Sequence, residues 1–409
     1  MPSPRPARKR QPAFSPVEEV IADIAAGKLV IVADDEEREN EGDLIGAAEK
    51  ITPRLVAFMA REGAGMLCVP VSMEIARRLE LETMVPHNRE AFKTHFTVTV
   101  DAAHGISTGI SAADRARTIQ LLAGPASRPS DLVRPGHVSP LIAKPGGVLR
   151  RAGHTEAAVD LARMAGLSEA GVLIEIMNRD GTMARLPHLK KFAHKHRLKL
   201  CSIEDMIAYR RHREKLVELV EVVDMPTEFG VFKLHLYKTA LDDLHHVALV
   251  KGRIDPAKPI LVRVHSECLT GDIFSSRRCD CGNQLHAALR KIAESESGVL
   301  LYMRGHEGRG IGLHAKIRAY KLQEQGYDTV DANLKLGYAS DLRDYGMGAQ
   351  ILYDLGARQL RLMTNNPRKV VGLEGHKLTI VERVPVKADS RPENARYLDT
   401  KKKRLGHLL

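Results

Sequence analysis

Short, wholly apolar runs alternating with amphipathic stretches restrict this chain more than any other feature. Leu29-Val30-Ile31-Val32-Ala33 is apolar at every position, the pattern of a strand buried on both faces, and such a strand needs helices on either side of its sheet. Ahead of it lies a helix start at Ser15-Pro16-Val17-Glu18. There Ser15 is placed as N-cap and Pro16 at the first helical position, before apolar Val17, Val20, Ile21 and Ile24. The alternation continues with a helix from Thr52-Pro53, strands at Met66 to Val71 and Phe96 to Val100, helices at Ala112 to Leu122 and Thr155 to Ala165, and a strand at Val172 to Met177. Residues 15–212 are therefore expected to form an α/β layer structure.

The pattern then changes. A helix from Ser202 runs into Arg210-Arg211-His212-Arg213-Glu214-Lys215, whose charge density suits a link between domains. Beyond it Phe232 to Leu236 and Val247 to Val250 alternate with period two, as hairpin strands do, and helices resume near Gln284. Residues 213–409 are expected to be a mixed α+β domain with its own core, and a length of 409 residues accommodates both.

The net charge of +11 suggests a polyanion partner until its position is considered. Arg5, Arg8, Lys9 and Arg10 lie at one end and Lys401, Lys402, Lys403 and Arg404 at the other, so the body carries only +3. Trp is absent and Phe plus Tyr number 17, too few for a base-stacking platform, so nucleic acid is not an expected partner. Residues 1–14 are basic and broken by Pro2, Pro4, Pro6 and Pro12, and are expected to be a disordered tail. No apolar run approaches the ~18 residues of a membrane span. Five cysteines, three of them within fourteen residues, fit a reducing cytoplasm and a metal better than disulfides.

Two polar clusters carry chemistry in the first half. Asp34 to Asp43 holds seven carboxylates in ten residues directly after the Leu29–Ala33 strand, where α/β proteins place their sites, and such oxygen-rich groups suit Mg²⁺ or Mn²⁺. About a hundred residues later come Arg134-Pro135-Gly136-His137 and Gly146-Gly147-Val148-Leu149-Arg150-Arg151-Ala152-Gly153-His154-Thr155-Glu156. Here the glycines admit a ligand to the backbone, and Thr155 is expected to cap a helix whose N-terminus favours phosphate.

The segments DDEERENEGDLI, TGISAADRART, RPGHV, GGVLRRAGHTEAAVDLARMAG and DGTMAR together resemble 3,4-dihydroxy-2-butanone 4-phosphate synthase over roughly residues 15 to 210. The resemblance implies conversion of D-ribulose 5-phosphate to L-3,4-dihydroxy-2-butanone 4-phosphate and formate with Mg²⁺ or Mn²⁺, and a three-layer α/β fold. By matching position, Glu39 and His154 would hold the metal. Arg38, Glu39, Asp43, Glu175 and the stretch Arg151, Ala152, Gly153, His154 and Thr155 would bind the sugar phosphate, with His137 and Glu175 essential to catalysis. One position departs: Lys93, in Ala91 to Phe96, stands where the family often has glycine.

In the second half Cys268, Cys279 and Cys281 offer three soft ligands, which favour Zn²⁺. Spacing alone leaves open a closed structural site completed by His265 or His286 and an open catalytic one. Downstream, Arg304 to Gly312 is rich in glycine, and Thr364-Asn365-Asn366-Pro367-Arg368-Lys369 joins a strand end to a possible helix start with cations. No Walker-type sequence exists, so a nucleotide would bind without a P-loop.

These segments, with LKLGYASDLRDYG, VERVP and YLDTKKKRLGHLL, resemble GTP cyclohydrolase II across about residues 215 to 409. The resemblance implies a zinc enzyme with Mg²⁺ accompanying GTP. It would open the imidazole ring of GTP, releasing formate and pyrophosphate and leaving 2,5-diamino-6-(5-phosphoribosylamino)pyrimidin-4-one. Cys268, Cys279 and Cys281 would bind zinc in an open site. Arg263, Val264, His265, Ser266, Glu267, Gln284, Glu307, Gly308, Arg309, Thr329, Thr364 and Lys369 would contact GTP. Asp341 would accept a proton, Arg343 would attack the α-phosphorus, and Tyr320 would assist. Arginine is charged at every ordinary pH, so stabilising transition-state charge is an equally good role for Arg343. Joined in this order, the halves resemble the bifunctional riboflavin-biosynthesis family, and homodimers are implied for both.

Overall fold

The computed structural model describes residues 14–36, 38–241, 244–338, 343, 345–366, 377–386, 394, 399, 400, 402 and 404. Asp341, Lys369, Pro367, Arg368 and the basic tail 1–13 lie outside the described residues. The chain divides between Arg213 and Glu214 into two compact units.

The first unit is built on β1 (Val30–Ala33), β2 (Gly42–Ala47), β3 (Cys68–Val71), β4 (Val100–Ala102), β5 (Leu132–Ile142), β6 (Gly171–Glu175) and β7 (Leu200–Ser202), in the sheet order β4-β5-β3-β6-β2-β1-β7. Every residue of β1, β2 and β3 is buried. Alternation sends Ile31 and Leu44 to one face and Val30, Val32 and Ile45 to the other, each into its own apolar cluster. Helices Pro53–Phe58, Ala112–Ala123 and Leu186–His196 contribute to the first cluster, and Val17–Ala25, His154–Met164 and Ile203–Arg213 to the second. This is the expected three-layer arrangement.

Register sets which residues meet at one end of the sheet. Asp43 pairs with Glu175, Leu173 with Cys68 and Cys68 with Ser139, so Asp43, Glu175 and His137 share the end at which β1 runs out into Asp34.

Four local expectations shift. Pro16 occupies the N-cap position of the first helix without a side-chain cap bond, and Ser15 instead donates its backbone N–H to the Leu200 carbonyl. Phe96 to Val100 is not a strand, and β4 begins only at Val100. Thr97 N–H reaches the Pro140 carbonyl, but a proline has no N–H to return, so a ladder cannot extend there. Thr155 does not cap its helix, which starts one residue earlier behind Gly153. Arg210 is no linker residue: it is buried and donates to Asp160 Oδ2 and to the Gly146 carbonyl, each at 2.7 Å.

The second unit carries β8 (Val217–Thr227), β9 (Gly230–Thr239), β10 (His245–Lys251), β11 (Pro259–Ser266), β12 (Gly298–Met303), β13 (Gln359–Met363) and β14 (Thr379–Val384), ordered β14-β13-β11-β12-β10-β9-β8. Strands β8, β9, β10 and β12 pair antiparallel in sequence, while β12, β11, β13 and β14 are parallel. The sheet is mixed because hairpins build one half and helical crossovers the other. The helix Cys281–Ala293 packs Ala288, Leu289 and Ile292 with Leu261 and Leu300 in one core.

Two measurements check this packing. Arg210→Met leaves the buried Asp160 carboxylate with only the more exposed Arg163 at 3.4 Å and is expected to cost about 3 kcal/mol in urea unfolding, with Asp160→Asn in the same chain recovering part of the loss. Asp114 accepts from the Ser107 hydroxyl and N–H and from the Gly109 N–H, which hold its carboxyl down at about 2. Its stabilisation is complete above the ordinary value of 3.8 and is lost as pH falls towards 2. Asp114→Asn should therefore flatten the acid limb of the urea midpoint below pH 4.

Candidate active sites

The first site begins with the acidic loop, which Asp34 folds. Its Oδ1 accepts from the Glu41 N–H at 2.7 Å, and its Oδ2 from the Glu39 N–H at 3.1 Å and Arg38 Nη1 at 2.8 Å. Arg38 also bonds Glu39 Oε2, so one guanidinium relieves the repulsion between two carboxylates. Asp34, Glu39 and His154 then place one ligand atom each within 4.8 Å of one another. His154 opens its helix with Nε2 at 3.2 Å from the Val32 carbonyl. A carbonyl only accepts, so the hydrogen resides on Nε2 and Nδ1 is aimed at Glu39 (3.8 Å) and Asp43 (3.9 Å).

Charge in this pocket is badly balanced. Burial together with Glu175, Glu39 and Glu41 lifts Asp43 to about 7. Burial opposes charging His154, but Asp43, Glu39 and Asp34 outweigh it and hold the ring up at about 9. Asp43 Oδ1 is buried with no hydrogen-bond partner among the described residues. An orphaned carboxylate oxygen beside a carboxylate and an imidazole nitrogen is the donor set of a hard divalent cation with its ligands, and the residues fit one.

His137 stands at the same sheet end, half exposed, and Asp101 orients it. Nδ1 is 2.6 Å from Asp101 Oδ2, and the backbone N–H is 2.9 Å from Oδ1, which turns Nε2 outward. Two glycines make room. A Cβ on Gly136 would lie 2.1 Å from the Val100 carbonyl carbon, and one on Gly109, whose φ is +93°, would lie 2.2 Å from Asp101 Oδ2 and 2.6 Å from His137 Nδ1. Glu175 accepts from the Met66 N–H at 2.7 Å. Arg151 bonds Glu156 Oε2 (2.6 Å), Thr94 Oγ1 (2.8 Å) and the Phe92 carbonyl (3.1 Å), and Arg38 lies 4.9 Å over the Phe92 ring. Lys93 between them has φ +58°, the left-handed region that glycine enters most freely, and its Nζ bonds the Asn88 carbonyl.

The second site opens between the C-terminal end of β11 and the cysteine loop, a cleft of about 1050 Å³ including space open to solvent. The three sulfurs lie within 4.8 Å of one another, with 3.8 Å between Cys268 and Cys279. Bonds from Cys279 and Cys281, with Lys316 beside it, hold Cys268 as a thiolate. The hydrogen bond to Cys268 pushes Cys279 up to about 11, and hydrogen bonds to both neighbours, with burial, raise Cys281 well above the ordinary thiol value. Three thiolates can coexist here only around a cation, and the residues fit Zn²⁺. Behind the cluster Asp272 accepts from the Cys268 N–H at 3.0 Å and the Tyr302 hydroxyl at 2.9 Å, and meets His265 Nε2 at 3.0 Å. His265 is therefore turned to Asp272 and is not among the clustered metal-ligand atoms.

Strand alternation sorts the other expected GTP contacts. Arg263 and His265 face the cleft, and Gln284 Oε1 receives Arg263 Nη2 at 2.6 Å. Val264 points to the opposite face and is buried, so its side chain cannot reach the cleft. Ser266, Glu267, Gly308, Arg309, Thr329 and Thr364 line the cleft. Glu307 stands behind it, accepting from the Leu269 N–H at 2.7 Å and from Lys316 at 2.6 Å. Tyr320 and Arg343 line it too, with Tyr320 OH 3.1 Å from Thr270 Oγ1 and Arg343 Nη1 3.4 Å from Ser266 Oγ. Asn333 was not among the expected contacts. It is 2% exposed, one turn after Thr329, and its buried Nδ2 has no partner among the described residues. Asp101, Asp272 and Lys316 likewise escape a reading of the sequence, because each matters only through a partner brought to it by the fold.

Comparisons with known proteins assign a family to each half. Residues 18–209 match the family model of 3,4-dihydroxy-2-butanone 4-phosphate synthase, and residues 218–385 that of GTP cyclohydrolase II. The riboflavin biosynthesis protein RibBA of Aquifex aeolicus is 58% identical over 397 residues, 97% of this chain and 98% of the relative. The protein of the same name from Bacillus mycoides is 59% identical over 97% of this chain and 99% of its own length. Among solved structures, RibBX of A. baumannii, described as a two-domain 3,4-dihydroxy-2-butanone 4-phosphate synthase, is 38% identical with a TM-score of 0.69, covering 92% of this chain and all of that one. Near-complete coverage at this identity, with both family models in order, means that the chain belongs to the bifunctional riboflavin-biosynthesis family, which joins a 3,4-dihydroxy-2-butanone 4-phosphate synthase domain to a GTP cyclohydrolase II domain.

Proposed function

We propose that this chain performs both reactions, each in its own unit. The first unit would convert D-ribulose 5-phosphate to L-3,4-dihydroxy-2-butanone 4-phosphate and formate. The second would hydrolyse GTP to 2,5-diamino-6-(5-phosphoribosylamino)pyrimidin-4-one, formate and pyrophosphate. The observation that carries the reading is the convergence of two unlike donor sets, Asp34/Glu39/His154 and Cys268/Cys279/Cys281.

In the first unit Glu39 and His154 would hold Mg²⁺ or Mn²⁺, with Asp34 and Asp43 adjacent. Such a cation supplies polarisation of the sugar's oxygens. His137, held by Asp101 with Nε2 outward, is placed to move protons on carbons beside the ketone, and Glu175 is its carboxylate counterpart. Arg151 and the first turn of the His154–Met164 helix suit the phosphate, with Arg38 and Asp43 on the sugar.

In the second unit Cys268, Cys279 and Cys281 would hold Zn²⁺, which supplies Lewis acidity at the imidazole ring of GTP. Arg263, Gln284, Arg309, Thr329, Thr364 and Lys369 would bind the nucleotide. Asn333 adds a buried donor for one of its acceptors. Tyr320 and Arg343 face the reacting region, Arg343 as a fixed positive charge, and Asp341 completes the set as proton acceptor. Mg²⁺ would accompany the triphosphate. All five cysteines are free, which supports a reducing cytoplasm, and the family resemblance supports a homodimer.

A second reading keeps only the first unit active, since RibBX, a two-domain protein, is named for the synthase alone. The intact cysteine cluster favours two activities. Incubating the purified chain separately with each substrate, with Mg²⁺ in excess and with or without a zinc chelator, tests this. Formate is expected from both, with only the GTP reaction lost to the chelator. No formate from GTP would leave the second reading standing. Gly109→Ala drives a methyl into Asp101 and His137, and is expected to lower formate release from ribulose 5-phosphate by about 100-fold or more while release from GTP is kept.

A further inference from the structure

Lys316 is a buried cation to which neither the family resemblance nor the roles above assign a task. Its helix, Gly312–Glu324, presents Lys316 and Tyr320 one turn apart. The side chain is 8% exposed, and Nζ lies 2.6 Å from Glu307 Oε1, 2.8 Å from Thr270 Oγ1 and 3.2 Å from Cys268 Sγ. An ammonium has three N–H donors, so these partners consume all of them and leave none for a nucleotide. Its neighbours are fixed in turn. The second oxygen of Glu307 holds the Leu269 N–H at 2.7 Å, and Thr270 Oγ1 meets Tyr320 OH at 3.1 Å. A long, flexible side chain is thereby locked with one N–H aimed at a sulfur.

We infer that Lys316 is a positioning residue whose N–H···S bond to Cys268, braced by Glu307 and Thr270, sets how strongly that sulfur donates to the cation held by the three cysteines. The inference rests on the zinc reading above. Three thiolates around a divalent cation carry a net charge of −1, which weakens the cation as a Lewis acid. A sulfur lone pair engaged by an ammonium gives up less electron density to the cation, so the N–H···S bond offsets part of that weakening even though Glu307 balances the ammonium's own charge. Lys316 thus acts on the reaction through Cys268 and not by touching substrate. The ion pair with Glu307 keeps the ammonium in place in a setting where an unpaired buried charge would be costly.

Cobalt substitution reads this directly, because the sulfur-to-cobalt charge-transfer absorption reports the donor strength of the thiolates. The full-length protein is loaded with Co²⁺ as wild type, Lys316→Met, Lys316→Arg and the double variant Glu307→Gln with Lys316→Met. The double variant removes both charges, so it serves where Lys316→Met alone leaves Glu307 unbalanced and does not fold. The band is expected to move to longer wavelength in Lys316→Met and in the double variant, and to stay near the wild-type position in Lys316→Arg. In the zinc-loaded proteins kcat for formate release from GTP should fall about 10–100-fold in the same two variants, with KM for GTP little changed. An unmoved band with cobalt bound overturns the inference alone, even if kcat falls, since the loss would then be one of packing. Failure of the wild-type protein to take up zinc or cobalt overturns the metal reading and this inference with it.

Discussion

Both sites rest on the same constraint: several anionic groups are brought together where water cannot screen them, so they persist only if cations are placed among them. In the first unit Asp34, Glu39, Asp43 and Glu175 crowd one sheet end, with Arg38 as the fixed counter-charge and the His154 ring among them. In the second, three thiols meet with Lys316 against one of them. The displacement of Asp43 and His154, and of the three cysteines from one another, expresses the same imbalance from the protein side. A divalent cation relieves it in each case, and ligand hardness selects which kind.

The frames that hold these charges are of different construction. The first site uses the exposed ends of strands in a mixed sheet whose core strands are buried on both faces, so its ligands inherit the rigidity of the sheet. The second uses the end of a parallel strand and a loop folded about Asp272, which serves the Cys268 N–H, Tyr302 and His265 at once. In both, one acidic residue organises the loop: Asp34, itself one of the clustered donors, clasps the acidic loop, and Asp272, outside the thiol cluster, clasps the cysteine loop. Asp101 does the same for His137 with a single carboxylate. These supports consume their hydrogen-bonding capacity on the protein, which leaves the outward groups available to substrate.

Much of this was legible along the chain, and the exceptions share a cause. The run Leu29–Ala33 announced a buried strand because burial on both faces leaves no polar position. Cys268, Cys279 and Cys281 announced a soft-metal site because three thiols in one short loop have few other uses. The strand expected at Phe96 to Val100 failed because Pro140 on the neighbouring strand cannot return a hydrogen bond, a fact that resides 43 residues away. Arg210 read as part of a charged link, yet it is spent on Asp160, 50 residues earlier. Val264 belonged to the expected GTP stretch, but alternation along β11 turns its side chain to the core.

The sequence by itself determined the two-part organisation, the apolar strands and the chemical type of each donor set, because these depend on residue identity and on spacings within one loop or element. Only the tertiary structure decided which carboxylates share a pocket, that Asp101 aims His137, and that Lys316 points at Cys268. Those are statements of ångström-scale distance between strands, loops and helices far apart in the chain. Local propensity carries no record of them, because they arise from sheet register and the packing of one element on another.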